Sequence, residues 1–266
     1  MGFAVLWQLH QCMVSNLMSH TSNLLMKVLA FTLILGLLYQ AEAFCQKKQP
    51  KVLVFSKTLG YRHASIKHGI VAIQQLGKAN NFLVDTTEDV AWFNSAKLKE
   101  YKTVIFLSPT GEFFDEDQKA AFKSFIQGGG GFVGIHAATD CLFKWDWYGR
   151  MIGAYFVNHP KVQKATLVIK DKKHPATRGL PNPWQHTDEW YNFKFNDSKL
   201  NVLISLDEKS YSGGKNGEYH PISWYHKFEG GRVFYTGLGH TPESFTSDEY
   251  FLEHLLGGIK YALNIK

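Results

Sequence analysis

Residues 103–136 read TVIFLSPTGEFFDEDQKAAFKSFIQGGGGFVGIH. Two apolar runs, Thr103–Leu107 and Gly131–Ile135, bracket a polar stretch with helical marks. Neither run alternates with polar residues, so each predicts a strand buried on both faces. Between them Asp115 is placed to cap a helix running to about Ile126. Phe122, Phe125 and Ile126 fall on its inward side, and Gly128 ends it. Strand, helix and strand in that order predict a parallel pair with the helix laid across it.

The same alternation continues upstream. Lys51–Ser56 is a short apolar strand, and Ile66–Leu76 a helix with Ile66, Ile70, Ile73 and Leu76 on one side. Phe82–Asp85 is a second strand, and Ser95 is read as the cap of a short helix over Ala96–Glu100. Downstream the pattern loosens. Ala165–Lys170 and Val202–Leu206 read as strands. Ile222–Lys227 and Arg232–Thr236 flank Glu229-Gly230-Gly231 as a hairpin, and Asp248–Leu263 is a closing helix. Neither a repeat nor a low-complexity linker interrupts the chain, so residues 44–266 are read as one α/β domain, a parallel sheet covered by helices.

The 266 residues are 45% hydrophobic and 20% charged, ordinary values for a chain that builds a core. Aromatics reach 15%, which fits a Phe-rich core and sugar-stacking surfaces equally well. The net charge of +6 is scattered and lies on no nucleic-acid motif, so no nucleic-acid partner is expected. Met26-Lys27, the apolar run Val28–Tyr39 and Ala41-Glu42-Ala43 together have the form of a secretory signal. The run is too short to span a bilayer as a helix, so the mature chain is expected to lack a transmembrane helix. Met26 is the preferred start, with cleavage after Ala43 and a periplasmic or secreted product. Cys45 and Cys141 would remain, enough for one disulfide. Phe44 before Cys45 fits a lipoprotein site poorly.

In an open parallel sheet, ligands bind beyond the carboxyl ends of the strands. Those ends carry Gly60-Tyr61-Arg62-His63, Pro109-Thr110-Gly111-Glu112, His136-Ala137-Ala138-Thr139-Asp140 and Gly237-Leu238-Gly239-His240. Three histidines and a glutamate at equivalent positions predict one shared cleft. His136 occupies the sharp turn where a nucleophile elbow would present Ser or Cys, which disfavours acyl transfer. The glycines of 128–131 precede their strand, which excludes a dinucleotide cradle. In the looser half, Asn158-His159-Pro160 and His186-Thr187-Asp188-Glu189-Trp190-Tyr191 set histidines and carboxylates beside aromatics. Such groups serve acid/base chemistry and zinc-type ligation. No tight pair spacing specifies a metal, and a solvated loop at Asp188-Glu189 is the bland alternative. Arg62 reads equally as a holder of an oxygen or as a structural ion pair, and His220 reads as structural.

Taken together, Gly60–His63, Thr110–Glu112, Gly134–Ala138, His159-Pro160, Asp188–Tyr191, His220–Trp224 and Gly239-His240 resemble the ThuA-like (trehalose utilisation) family. The resemblance spans residues 51–263 in order. It implies a three-layer α/β/α sandwich, flavodoxin-like and of the class I glutamine amidotransferase type, with a mainly parallel sheet. It also implies that amidotransferase activity is absent, because His136 stands at the elbow. The implied role lies in sugar catabolism, including oxidised disaccharides. The expectation is therefore acid/base chemistry on a glycoside or keto-sugar, with or without a divalent metal. His136, His63, His240 and Glu189 would be catalytic. Tyr61, Arg62, Glu112, His159, Asp188, Trp190 and Tyr191 would bind substrate. A non-catalytic sugar-binding module with the same cleft and an interaction protein that has lost the chemistry are the alternatives.

Overall fold

The computed structural model describes Met13 and residues 49–196 and 199–265. The signal segment, its cleavage point and Cys45 lie outside the described residues. Strands β1 (Lys51–Phe55), β2 (Leu83–Thr87), β3 (Thr103–Leu107) and β4 (Gly131–Ile135) pair in parallel with β11 (Gly231–Thr236) in the order β2-β1-β3-β4-β11. This is the doubly wound flavodoxin-like order, whose switch point lies between the first and third strands. The sheet then continues antiparallel through β10 (Pro221–Phe228), β9 (Asn201–Asp207), β6 (Gln163–Ile169) and β7 (Trp184–Asp188). The sheet is thus mixed, parallel on one side of the β10–β11 hairpin and antiparallel on the other. The β3 and β4 runs, buried at every position, are the strands read from the sequence.

Helices cover both faces. Gly131 and Gly134 lie on opposite faces of β4 because side-chain direction alternates along a strand. A Cβ on Gly131 would meet Ala262, and one on Gly134 would meet Ile152. Ala262 belongs to the closing helix Glu249–Leu263, and Ile152 to the short helix Asp146–Ile152. In chain order the helices are α1 (Ile66–Ala79), α2 (Ser95–Leu98), α3 (Glu116–Gln127), α4 (Asp146–Ile152), α5 (Pro242–Thr246) and α6 (Glu249–Leu263). The α3 start is a full capping box, with Asp115 and Gln118 each accepting from the other's backbone N–H. Asn94, not Ser95, caps α2, accepting from the Lys97 amide. Ser95 is the first helical residue.

The sequence reading missed β5 (Ala154–Asn158) and β8 (Asn192–Phe195), which form a separate two-stranded antiparallel sheet. It also assigned no strand to Trp184–Asp188, where the chain forms β7. Phenylalanines make the core: Phe55, Phe93, Phe106, Phe114 and Phe122 contact one another ring to ring between β1, β3 and α3. Among the described residues, no helix is long and apolar enough to cross a membrane.

Candidate functional site

Four side chains meet at the carboxyl edge of the parallel strands. His63 follows β1, His136 follows β4, His240 follows β11 and Glu189 follows β7. One ligand-type atom from each lies within 4.8 Å of the others, so this is the group that could hold a metal ion. β7 is the far edge of the sheet, yet its end returns to β4 and β11. Asp188 is the reason. Its carboxylate is fully buried and accepts from the amides of Glu189 (2.8 Å), Gly239 (2.8 Å) and His240 (3.1 Å). One carboxylate therefore ties the β7 end to the turn that carries His240.

His136 lies at φ +49°, a left-handed conformation uncommon outside glycine, and opens a 3₁₀ turn over His136–Thr139. The strand-to-turn elbow expected from the sequence is present. The ring is held from outside the cluster, because Nδ1 donates to the Gly237 carbonyl at 2.8 Å. A carbonyl only accepts, so Nδ1 carries a proton, and Nε2 is the ring atom turned into the cluster. Nε2 lies 3.4 Å from Glu189 Oε2 and 3.3 Å from His240 Nδ1. Glu189 Oε2 is also 3.2 Å from His240 Nδ1, and its Oε1 is 3.0 Å from His159 Nδ1.

Burial would raise the Glu189 carboxyl, but its contacts with His136 and His240 outweigh this and hold it well below the usual carboxylate range. Burial lowers His63 to about 3, with the His136 and His240 rings adding to the shift, so His63 is neutral near pH 7. Its Nδ1 is buried and has no hydrogen-bond partner. Burial would lower His240 too, but Glu189 raises it.

Of the residues expected to bind substrate, His159 and Tyr61 form the exposed rim. Tyr61 sits edge-on to His63 at 4.8 Å, and Tyr191 lies under His136 at 4.3 Å between ring centroids. Glu112 does not join the cluster; it is exposed and accepts from the Lys144 amide at 3.1 Å. Arg62 is the structural ion pair, 2.6 Å from Glu88. Trp190 is fully buried, its indole N–H donating to the Gln163 carbonyl, so it belongs to the core. Asp188 has no exposed surface either, and it positions backbone rather than facing a ligand. His220 is structural, its ring held by Glu208 and the Tyr191 carbonyl. Cys141 is free and buried, and burial pushes its thiol far above the usual range, so it supplies no thiolate.

Two residues of the segments read from the sequence, Asp140 and His186, had been given no site role of their own. Asp140, four residues after His136, is half-buried near His136 and His159, and burial raises it to about 6. Its position in the elbow turn was the available signal. The second residue, His186, is held between Asp188 (3.3 Å) and Asp248 (3.0 Å). Through His186 and Asp248 this network borders a cavity of about 690 Å³, lined also by Trp184, Thr241 and Tyr250.

The family model for ThuA, described as trehalose utilisation, matches residues 51–262. No curated protein matches the chain. A ThuA-like protein from Bacteroides uniformis is 24% identical with a TM-score of 0.69, the match covering 82% of this chain and 93% of that one. One from Parabacteroides merdae is 20% identical with a TM-score of 0.67, covering 82% and 91%. A β-galactosidase from Bacillus circulans sp. alkalophilus is 15% identical with a TM-score of 0.55, the match covering 82% of this chain and 32% of the enzyme. At these identities the structures share the fold.

Proposed function

Because the chain belongs to the ThuA, trehalose-utilisation family, we propose that it acts on a glycoside or keto-sugar by acid/base chemistry at the histidine–carboxylate cluster. One observation carries the reading: His63, His136, His240 and Glu189 come from four separate chain segments and bring their donor atoms within 4.8 Å of one another. A core does not need four such groups together, and proton transfer to or from a sugar oxygen or carbon does. His136 is the principal acid/base group, because Nδ1 is committed to Gly237 while Nε2 is available. His63 is the neutral neighbour, and Glu189 stabilises positive charge that develops on the rings. Tyr61 and His159 at the rim would meet the sugar. The signal-like segment over residues 26–43 supports placement in the cell envelope.

The test is a screen of purified protein against ordinary and oxidised disaccharides, following both binding and turnover. The expected result is turnover that His136→Ala removes while circular dichroism stays unchanged. A second reading, a sugar-binding module without chemistry, is favoured by the cavity that Trp184 and Tyr250 help to line and the cluster does not. In that case Tyr250→Ala weakens sugar binding, no substrate turns over, and His136→Ala is silent.

A further inference from the structure

We propose that His63, His136, Glu189 and His240 form a binding site for one divalent transition-metal ion of the zinc class. The inference rests on the same residues as the proposed function and makes His136 Nε2 a ligand in place of a proton acceptor, since one lone pair cannot serve both; it does not depend on the sugar being the substrate.

The donor triangle is the first argument. His136 Nε2, His240 Nδ1 and Glu189 Oε2 lie 3.3, 3.2 and 3.4 Å apart. Ligands held at about 2.0–2.2 Å around a tetrahedral ion are separated by about 3.3–3.6 Å along each edge. The three atoms therefore already stand at the spacing of one face of a coordination shell. The fourth donor, a ring nitrogen of His63, is within 4.8 Å of all three.

The second argument is an unmet requirement. A buried ring nitrogen without a partner forfeits its hydrogen bond to water. The His63 side chain is 4% exposed, and its Nδ1 has no partner. The Glu189 carboxylate does not resolve this, because its oxygens face His136, His240 and His159. An ion resolves it by accepting lone pairs from every ring at once.

The surroundings are those of a supported metal ligand set. The His136 Nδ1–H to Gly237 carbonyl bond fixes the tautomer that turns Nε2 inward, the arrangement that outer partners give to metal-bound imidazoles. His159 holds the second oxygen of Glu189, leaving Oε2 toward the other donors. Three imidazoles and one carboxylate suit zinc, iron, cobalt or nickel, whereas magnesium and calcium prefer oxygen-only shells. Such an ion would polarise a sugar carbonyl or activate water only through a position added to the four protein ligands, in an expanded five-coordinate shell.

The experiment uses tag-free full chain, stripped with chelator and titrated with Zn²⁺ by calorimetry, with Mg²⁺ and Ca²⁺ as controls. Metal content of the freshly purified protein is measured in parallel. The expected outcome is one Zn²⁺ per chain, no comparable uptake of Mg²⁺ or Ca²⁺, and a dissociation constant weakened at least about 100-fold in Glu189→Gln and His240→Ala. That loss would exceed the 10–100-fold effect typical of an outer partner, and circular dichroism confirms that both variants are folded. Absence of stoichiometric Zn²⁺ binding by the wild-type chain overturns the proposal, and so does unchanged affinity in folded Glu189→Gln. Absence of Zn²⁺ binding leaves the sugar reading intact, because that reading stands or falls on turnover in the disaccharide screen.

Discussion

His136 carries two constraints in one residue: a left-handed backbone at φ +49° and a ring whose Nδ1–H is bound to the Gly237 carbonyl. Alanine keeps the same backbone demand, so His136→Ala tests the ring. Turnover on whichever sugar the screen identifies is expected to fall about 10²-fold or more, the usual contribution of an acid/base group. An unchanged rate in folded protein would remove His136 from the mechanism. Asp188 makes a different prediction. Three backbone amides donate to its buried carboxylate, with His186 beside it. Asp188→Ala leaves those three donors unpaired and the His186 cation with Asp248 alone, and is expected to cost about 3–5 kcal/mol. Urea denaturation reads the loss; a midpoint within error of wild type would show that the carboxylate does not tie β7 to the His240 turn. The residue scale is where the sequence was most legible for His63, His136 and His240, because each lies on the segment that leaves the carboxyl end of a readable strand. Glu112 follows one equally well but turns to the Lys144 amide, a choice that strand position does not encode.

At the scale of elements, β7 shows why part of the fold was not legible. Trp184, His186 and Asp188 point inward while Gln185 and Thr187 point outward, a strict alternation. Two of the three inward residues are polar, so a search for apolar period two passes over it. Their burial is possible because they pair with each other and with Asp248. Burial lowers the His186 pKa, but hydrogen bonds to Asp188 and Asp248 outweigh it and raise it from 6.5 to about 9. A raised folded-state value stabilises the fold fully below the unfolded value near 6.5, and the contribution is lost as pH rises through about 9. Its size is on the order of 3 kcal/mol. The urea midpoint of wild type should therefore fall between pH 6.5 and 9, and the His186→Gln protein should lose that part of the slope; equal slopes would refute the pairing. Packing of β4 against α6 gives a second test. A Cβ at Gly131 would lie 2.3 Å from the Ala262 carbonyl oxygen, so Gly131→Ala forces the two apart at about 1–3 kcal/mol. The melting temperature should drop by about 2–4 °C for each kcal/mol.

At the scale of the whole molecule, aromatic content alone could not separate core from ligand surface. Phe55, Phe93, Phe106, Phe114 and Phe122 went to the core, while Tyr61 and Tyr191 flank the cluster. Export is the prediction that belongs here. A chain beginning at Met26 and cleaved after Ala43 has Phe44 as its mature N-terminus, which mass spectrometry of the native protein reads directly. Retention of residues 26–43 would refute export.

The order and type of the first four strands, with the helices α1 and α3, were determined by the sequence itself. The short apolar runs (longest in β1, β3 and β4), helical spacing and the Asp115 cap act over a few neighbouring residues, so each can be read without knowing the rest of the chain. A mixed sheet, by contrast, was decided only by the tertiary structure, because the pairing of β6, β7, β9 and β10 joins segments far apart in the chain. The same is true of the partner for the three histidines. Glu189 reaches them from the far edge of the sheet because buried Asp188 is bound to Gly239 and His240, more than fifty residues away. A hydrogen bond between segments that distant leaves no periodic trace in either one, and only the folded chain shows which carboxylate the histidines meet.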